Sequence, residues 1–206
     1  MFTDHLNMLL LLLPGVSVTY QGEELGMTDT NITWEDTLDP AGLACGPDRY
    51  QECSRDPQRT PFQWNADLHA GFSEAEQTWL PVNMNYPWLN AAAQVGASDH
   101  NSHNWVYFDT MFVRRNFQRE NTVFYAVTNT FLALNEDWVL LLNFNDSEQI
   151  INLEEKIQDN GFTLSQTVVS ARSVNGTDEN QVGSQKFLSE DLTLGSFEAV
   201  LLTKYF

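Results

Sequence analysis

A stretch of about 70 residues with no regular periodicity is the feature that most limits what this 206-residue chain can fold into. Residues 26–96 hold six of its seven prolines, together with many glycines, asparagines and aspartates. The apolar residues of this stretch follow neither a helical nor a strand period. It is also much longer than an ordinary connection in a compact domain. We therefore expect a functional excursion that contains only short elements.

The segments on either side of the excursion have regular patterns. Residues 3–13 predict the end of a helix, stopped by the Pro-Gly pair that follows. Residues 16–20 are rich in β-branched and aromatic side chains and predict a strand. A helix, a short strand and a polar turn form one step of an α/β layout. After the excursion, residues 98–116 predict a second helix.

The last part of the chain has the pattern of a β domain. Short runs of β-branched and aromatic residues alternate with turn residues, and no helical pattern separates them. Strands at this spacing are typical of an antiparallel sandwich. The runs are residues 122–127, 138–144, 149–153, 163–170 and 197–203.

The charge balance excludes some classes of partner. The chain has 28 acidic and 10 basic residues, a formal net charge of -18, so it cannot neutralise the phosphates of a nucleic acid. The same charge disfavours an anionic membrane surface. An acidic, aromatic-rich chain suits neutral ligands such as sugars.

No segment of this chain is expected to span a membrane. The apolar run at residues 8–13 is too short to cross a bilayer. The preceding residues include Asp4 but no lysine or arginine, which argues against a signal peptide.

The two cysteines leave two readings open at first. The spacing of Cys45 and Cys53 fits neither a redox motif nor a zinc site. In an oxidising compartment the two cysteines would form a disulfide, and in the cytosol they would stay free thiols. Three glycosylation sequons, at Asn31, Asn145 and Asn175, favour the secretory pathway. We therefore expect a Cys45–Cys53 disulfide, with Cα atoms within about 7 Å.

One histidine pair has a spacing that suits a metal ion. His100 and His103 lie three residues apart on the predicted second helix. No acidic third ligand is evident, and a helix surface explains both residues, so we expect neither a metal site nor a cofactor.

Four motifs in the first half share a family resemblance. Residues 20–27 (YQGEELGM), 55–64 (RDPQRTPFQW) and 70–73 (AGFS) occur in this order, and residues 45–53 (CGPDRYQEC) form a cysteine-bearing loop. The first resembles the end of the eighth barrel strand of glycoside hydrolase family thirteen, the α-amylase superfamily. The second resembles a signature of its maltase and oligo-1,6-glucosidase branch. The cysteine loop resembles that of the insect maltases.

The resemblance implies a fold in two parts, α/β and then all-β. Residues 1–116 would be the C-terminal remnant of a (β/α)8 TIM barrel: its last strand, a long loop and its last helix. Residues 117–206 would be a C-terminal antiparallel β-sandwich domain.

The resemblance also implies an activity. Insect maltases are α-glucosidases that release terminal α-1,4-linked glucose with retention, using two carboxyl groups about 5 to 5.5 Å apart. In that family the three acids follow barrel strands four, five and seven, and no position of this chain matches them. We therefore expect a fragment with no catalytic residue, inactive alone. Its parent would act on small α-glucosides such as maltose, in the secretory pathway or outside the cell.

Two residues are candidates for substrate binding. The resemblance implies that Arg59 reaches the catalytic cleft and donates hydrogen bonds to sugar hydroxyls, as a guanidinium can. It also implies that Glu24 lies on the rim of the glucose pocket and bonds Arg59. The structural alternatives are a loop brace for Arg59 and a solvated acid for Glu24. Phe62 and Trp64 are expected to be core anchors.

Two other functions stay open. A non-catalytic relative, such as an amino-acid-transporter heavy chain with a membrane segment upstream, shares several motifs, but its lineage tends to lack the arginine found here at position 59. The β-rich half could instead be a carbohydrate-binding module. Its aromatic residues Phe124, Tyr125, Trp138 and Phe144 follow strand patterns and are expected in the core.

Overall fold

The structure, a computed structural model, describes residues 2–97, 102–116, 123–127, 130–134, 137–154, 166–173, 180–187 and 191–204. The chain divides into two compact units. The first combines residues 1–19 with residues 98–206, and the second consists of residues 20–97. The domain boundary expected between residues 116 and 117 stays a prediction about the parent protein.

In the described ranges the α-helices are α1 (Thr3–Leu12), α2 (Pro40–Cys45), α3 (Tyr50–Cys53), α4 (Ala91–Val95) and α5 (His103–Asn116). The strands are β1 (Val123–Val127), β2 (Thr130–Leu134), β3 (Trp138–Asn143), β4 (Gln149–Asn152), β5 (Gln166–Arg172), β6 (Gln185–Phe187), β7 (Asp191–Leu194) and β8 (Ala199–Lys204).

Helices α1 and α5 agree with the predicted ones. Leu13, the residue just after α1, has extended backbone angles (φ -60°, ψ 144°) because the following proline disfavours the helical region. Helix α5 ends at the predicted residue, and residues 98–101, where its start was predicted, are not described. The Arg114 guanidinium donates to the carbonyls of Leu11 and Gly15 and so holds α5 against the end of α1.

The β-rich half forms two antiparallel sheets, as expected. Six strands pair in the order β1-β2-β3-β8-β5-β6, and β4 pairs with β7 in a second sheet. Strand β3 lies in the interior of the large sheet, and all six of its residues are buried. Burial on both faces explains its continuous apolar sequence, WVLLLN.

A first core fills the space between the two sheets. Alternate residues of β2, β3 and β8 point to this side, as the two-residue period of a strand requires. The residues opposite them come from β4, β7 and the segment just after β4. The buried members are Leu132, Leu134, Val139, Leu141, Leu153, Val169, Leu192, Leu194, Val200 and Leu202.

A second core lies between the other face of the large sheet and the two helices. Helices α1 and α5 each contribute an apolar stripe to it. Trp138 is 1% exposed there, which confirms it as a core residue, and Phe144 packs at the edge; the side chains of Phe124 and Tyr125 are not described. The buried members are Met8, Leu12, Val106, Val113, Ala133, Trp138, Leu140, Leu142, Ala199 and Leu201.

The strand predicted at residues 16–20 is wrong for this structure. Those residues form no β ladder, and Val16 and Val18 are 93% and 77% exposed. A strand exists only where another strand supplies its hydrogen bonds, and no described strand lies beside this segment. The β-branched pattern therefore remains without the pairing that it needs.

Among the described residues, no helix has the length and apolar character that crossing a bilayer requires.

His5 is a buried polar residue at the base of the second core. Its ring lies against Phe2 and Phe144, with centroid distances of 5.8 and 5.2 Å. Its Nε2 lies 3.2 Å from the carbonyl oxygen of Asn143 and donates to it. Burial lowers the pKa of His5 below its ordinary value, an effect only partly offset by the Asn143 carbonyl and by Asp4.

This burial predicts a loss of stability in mild acid. Because the folded-state pKa of His5 is depressed, the unfolded chain takes up the proton at higher pH. At pH values above the ordinary pKa of 6.5, neutral His5 contributes its full share to the free energy of unfolding. At lower pH the free energy of unfolding decreases, by at most about 1.4 kcal/mol per pH unit from this residue. Urea denaturation at about pH 7.5 and about pH 5.5 should reveal a smaller loss in His5→Gln than in the wild type. Equal losses of stability in the two proteins would show that the pH dependence comes from other titratable groups.

Candidate functional site

The candidate site begins with a tight turn in the 20–97 unit. Residues Glu23–Leu25 form one 3-10 turn between Gly22 and Gly26, whose φ angles are 90° and 70°. The half-buried Glu24 accepts a 2.9 Å hydrogen bond from the Gly22 N–H, and Glu23 accepts one of 3.0 Å from the Tyr20 N–H. Both carboxylates therefore stabilise the turn that carries them.

Two buried aspartates organise the next part of the loop. Asp56 accepts the backbone N–H groups of Leu38 and Asp39, at 2.7 and 2.8 Å. Asp39 caps α2 by accepting the Ala41 N–H and also accepts the Arg55 N–H at 2.7 Å. The N–H groups of Arg55 and Ala41 lower the pKa of Asp39. Each carboxylate thus replaces the regular hydrogen bonds that this stretch lacks.

The predicted disulfide is present. Cys45 ends α2 and Cys53 ends α3, and a bond joins them with a Cα–Cα distance of 6.5 Å. The connection between them begins at Gly46, whose φ of 77° lets the chain reverse.

The structure brings the backbone of the Arg59 segment beside the Glu24 turn, but it does not join the two side chains. The Thr60 hydroxyl accepts from Thr30 at 3.2 Å, and its carbonyl accepts from the Gln21 amide at 3.4 Å. The Arg59 side chain is half-buried. In the described part of the chain its guanidinium makes no hydrogen bond or ion pair, so the expected bond to Glu24 is not found. The substrate roles of Arg59 and Glu24 stay predictions.

The two aromatic residues of the same motif are closer to the surface than expected. Phe62 and Trp64 contact each other, with ring centroids 4.6 Å apart. Phe62 is half-buried, but Trp64 is 55% exposed within this chain, so it is not a core anchor here.

The AGFS motif closes a left-handed turn against the end of the previous motif. The Ala70 carbonyl accepts the N–H groups of Trp64 and Asn65, at 2.9 and 3.2 Å. His69, Ala70 and Gly71 have successive φ angles of 54°, 57° and 67°. A Cβ at Gly71 would meet the Asn65 side chain, which explains why the motif has a glycine there. No sequence signal marked His69 or Ala70 as left-handed.

The remaining predicted residues are glycosylation sequons and a histidine pair. Asn31 is exposed in the excursion, Asn145 is half-buried in the turn after β3, and Asn175 falls outside the described ranges, so glycosylation stays a prediction. His103 Nδ1 lies 2.6 Å from an Asp4 carboxylate oxygen, whereas His100 is not described. The described residues include no group of three or more histidine, cysteine or acidic side chains arranged for a metal ion.

Comparison with known proteins gives consistent matches. The family "Alpha amylase, catalytic domain" matches residues 2–121. Maltase A1 of Drosophila melanogaster is 35% identical over 195 residues, covering 91% of this chain and 33% of that protein. The salivary alpha-glucosidase of Anopheles gambiae is 53% identical over 94 residues, covering 46% of this chain and 16% of that protein.

A solved structure matches the fold over nearly the whole chain. The trehalulose synthase of Pseudomonas mesoacidophila MX-45 superposes with a TM-score of 0.71 at 21% identity, covering 98% of this chain and 38% of that one. This chain therefore has the fold of part of an alpha-amylase-family protein. It spans about a third of the length of the Drosophila maltase.

The left-handed turn predicts unequal effects of two glycine substitutions. Gly71 and Gly46 both have positive φ, of 67° and 77°, but only at Gly71 would a new Cβ meet other atoms. Gly46→Ala should lose about 1 to 2 kcal/mol from its backbone conformation. Gly71→Ala should lose a further 1 to 3 kcal/mol, roughly, from overpacking. Urea denaturation measures both, and equal losses would contradict the close packing at Asn65.

Proposed function

This chain belongs to the alpha-amylase family, and we propose that it is the C-terminal part of an α-glucosidase (maltase). The whole protein would hydrolyse terminal α-1,4-linked glucose from small α-glucosides such as maltose, with retention at the anomeric carbon. The maltase and alpha-glucosidase relatives support this substrate class. The proposal assigns no cofactor.

The observation that carries the proposal is the state of Arg59. Its segment is joined by the Gln21–Thr60 hydrogen bond to the residue just before the Glu24 turn, and by the Thr30–Thr60 hydrogen bond to the chain that follows the turn. Its side chain is nevertheless half-buried, and the guanidinium makes no hydrogen bond or ion pair among the described residues, while its charge acts on the Asp39 carboxylate. The donors of this guanidinium are therefore open to a ligand, and sugar hydroxyls would supply acceptors in the plane of the fork.

We assign the two parts of the chain as follows. Residues 1–116 are a remnant of the catalytic TIM barrel, and the exposed, extended segment 16–20 is a barrel strand that pairs with strands elsewhere in the protein. Residues 117–206 are the C-terminal β-sandwich domain. Two antiparallel sheets with a shared core support the second assignment.

The catalytic carboxyl groups are proposed to lie elsewhere in the whole protein. Retaining hydrolysis needs a nucleophile and an acid on opposite sides of the scissile bond, about 5 to 5.5 Å apart. The adjacent pair Glu23 and Glu24 does not fit, because each carboxylate is engaged by a backbone N–H of its own turn. The 20–97 unit would therefore contribute substrate contacts and not the bond-breaking groups.

The protein is proposed to act in the secretory pathway or outside the cell. The Cys45–Cys53 disulfide needs an oxidising compartment to persist. The sequons at the exposed Asn31 and at Asn145 fit the same route. The salivary relative is named for a secretion.

The first test is activity of the chain alone. We expect the purified 206-residue chain to release no product from a chromogenic α-glucoside above a buffer control, because the two carboxyl groups supply most of the acceleration in such reactions. Turnover by this chain would contradict the assignment of the catalytic acids to other residues.

The second test uses the whole enzyme with Arg59 replaced. Arg59→Lys and Arg59→Ala should both lower kcat/KM by roughly 10- to 150-fold, which corresponds to the loss of one charged hydrogen bond of about 1.5 to 3 kcal/mol. The melting temperature should change little.

Arg55→Lys is the matched control. The Arg55 guanidinium lies at the surface, with Nε 4.0 Å from an Asp39 oxygen, and has no assigned substrate role. Its replacement should leave kcat/KM near the wild-type value. A fall in melting temperature with unchanged kcat/KM in the Arg59 variants would identify Arg59 as a loop brace. Absence of hydrolysis by the whole wild-type protein would favour a non-catalytic relative.

A further inference from the structure

A small pocket lies beside the first glycosylation sequon, within the 20–97 unit. It encloses about 310 Å³ and is formed by residues 29–32 and by four residues of the segment 50–57. Ligand pockets in proteins are typically about 300 to 1,000 Å³, so this one has room for a single sugar ring. Neither Arg59 nor Glu24 lines it, and the proposed catalytic role does not use it.

Hydrogen bonds between the two segments hold the walls of the pocket in place. The Tyr50 hydroxyl donates to the carbonyl of Ile32 at 3.1 Å, and the Thr30 N–H donates to the carbonyl of Pro57 at 3.0 Å. The disulfide ties α3, which carries Tyr50, to α2. The pocket is therefore formed before a ligand enters it, so binding costs little in ordering its walls.

The sequon asparagine Asn31 lies at the edge of this pocket. Asn31 is exposed and is one of the lining residues. In the described part of the chain its side-chain amide makes no hydrogen bond, so the nitrogen that receives an N-linked glycan is free. Asn145 differs, because it is half-buried and its backbone N–H and carbonyl both form hydrogen bonds in the turn after β3.

The other lining groups suit N-acetylglucosamine, the first sugar of an N-linked glycan. Tyr50 and Pro57 are half-buried and present apolar surface to the C–H face of a ring or to an acetyl methyl group. The Ser54 hydroxyl accepts the Asp56 N–H at 3.2 Å and keeps its own proton to donate. The amide oxygen of Gln51 has no partner among the described residues and can accept. The hydroxyls and the amide of the sugar complement these groups.

We propose that this pocket seats the first N-acetylglucosamine of a glycan attached to Asn31, so that the glycan stabilises the irregular loop that carries it. The proposal rests on the secretory route proposed above, because enzymes of that route attach such glycans. The covalent link replaces the association of a free sugar, since a short tether gives an effective concentration in roughly the millimolar range. A free monosaccharide would instead lose its translational and rotational freedom for a few contacts in an open pocket.

The experiment compares two preparations of the 206-residue chain. One is secreted from a eukaryotic cell line with a fused signal sequence, and the other comes from a bacterial periplasm, which forms disulfides without attaching N-glycans. Peptide mass spectrometry should find a glycan on Asn31 of the secreted chain. That chain should melt about 2 to 4 °C higher than the periplasmic one, and trimming the glycan to its first sugar should preserve the difference.

Two sequon variants separate the glycan at Asn31 from other effects of secretion. Asn31→Gln should abolish the difference in melting temperature between the two preparations. Ser147→Ala is the matched control, because it removes the sequon of Asn145, which lies in the other compact unit. It should leave that difference unchanged.

Substitutions in the lining test the pocket itself. Tyr50→Ala removes an apolar wall and should reduce the difference between the preparations to less than about 1 °C. Its lost contact with Trp34 lowers both melting temperatures, so the difference is the quantity to compare. Gln51→Ala and Gln58→Ala form a matched pair of exposed glutamines, of which Gln51 alone lines the pocket. Gln51→Ala should reduce the difference by about half, and Gln58→Ala should not change it.

Three results would overturn this proposal: a secreted chain with no glycan on Asn31, equal melting temperatures of the two preparations, or equal effects of Gln51→Ala and Gln58→Ala. None of them bears on the α-glucosidase proposal, which the activity of the whole protein decides. Stabilisation by the Asn31 glycan in a protein without hydrolase activity would leave the pocket proposal standing and remove the α-glucosidase proposal.

Discussion

In the 20–97 unit, polar side chains form the hydrogen bonds to the backbone that strands or helices would form in a regular domain. The buried carboxylate of Asp56 accepts two successive N–H groups and fixes the position of Asp39, which in turn caps α2 and holds the Arg55 backbone. A region with so few regular elements must satisfy its amides in this way or leave them unpaired. Replacing either aspartate would disturb several segments at once.

The side-chain amides of asparagine and glutamine form similar hydrogen bonds to the backbone elsewhere in the unit. The Asn83 side chain donates to the carbonyls of Thr28 and Asp29, and the buried Gln94 side chain donates to the carbonyl of Leu25. Asn90 caps α4 through the Ala93 N–H and also donates to the Tyr86 carbonyl. The asparagines and aspartates that first suggested an irregular loop therefore supply the hydrogen bonds that stabilise it.

The large sheet depends on a different principle, burial of both faces. Because β3 and β8 are covered by the small sheet on one side and by α1 and α5 on the other, the apolar residues of these two strands each contribute to one of the two cores. Helices that flank the excursion in sequence thus belong to the same unit as the sheet. The compact units therefore combine segments from both sides of the excursion, and the domain boundary expected after residue 116 stays a prediction.

The sequence correctly predicts the helices and strands that have strong local signals. Helix α1 ends at a Pro-Gly pair, and the apolar runs of β3 and β8 predict their strands directly. Strands β6 and β7 were not predicted, because their sequences, QKF and DLTL, have few β-branched or aromatic residues and gain their identity from pairing. Strand β2 was not predicted, although it is as long as β1.

The candidate site was predictable only in part, for a related reason. The disulfide follows from cysteine spacing and sequons, and the closeness of the Arg59 and Glu24 segments follows from the motif resemblance. The left-handed His69 turn depends on the Ala70 carbonyl and its two donors, which are tertiary contacts. Glu24 instead accepts the Gly22 N–H of its own turn, a local contact that the motif does not reveal.

The extended segment at residues 16–20 also affects the solution behaviour of the chain. It combines apolar β-branched side chains with a backbone that no described strand covers, and its valines are almost fully exposed. Such a segment is a template for strand addition by any similar chain. Two copies that meet there can satisfy each other's backbone, so self-association should increase steeply with concentration. The colloidal stability of a preparation would then be set by these few residues, despite a net charge of -18 that keeps the rest of the surface repulsive.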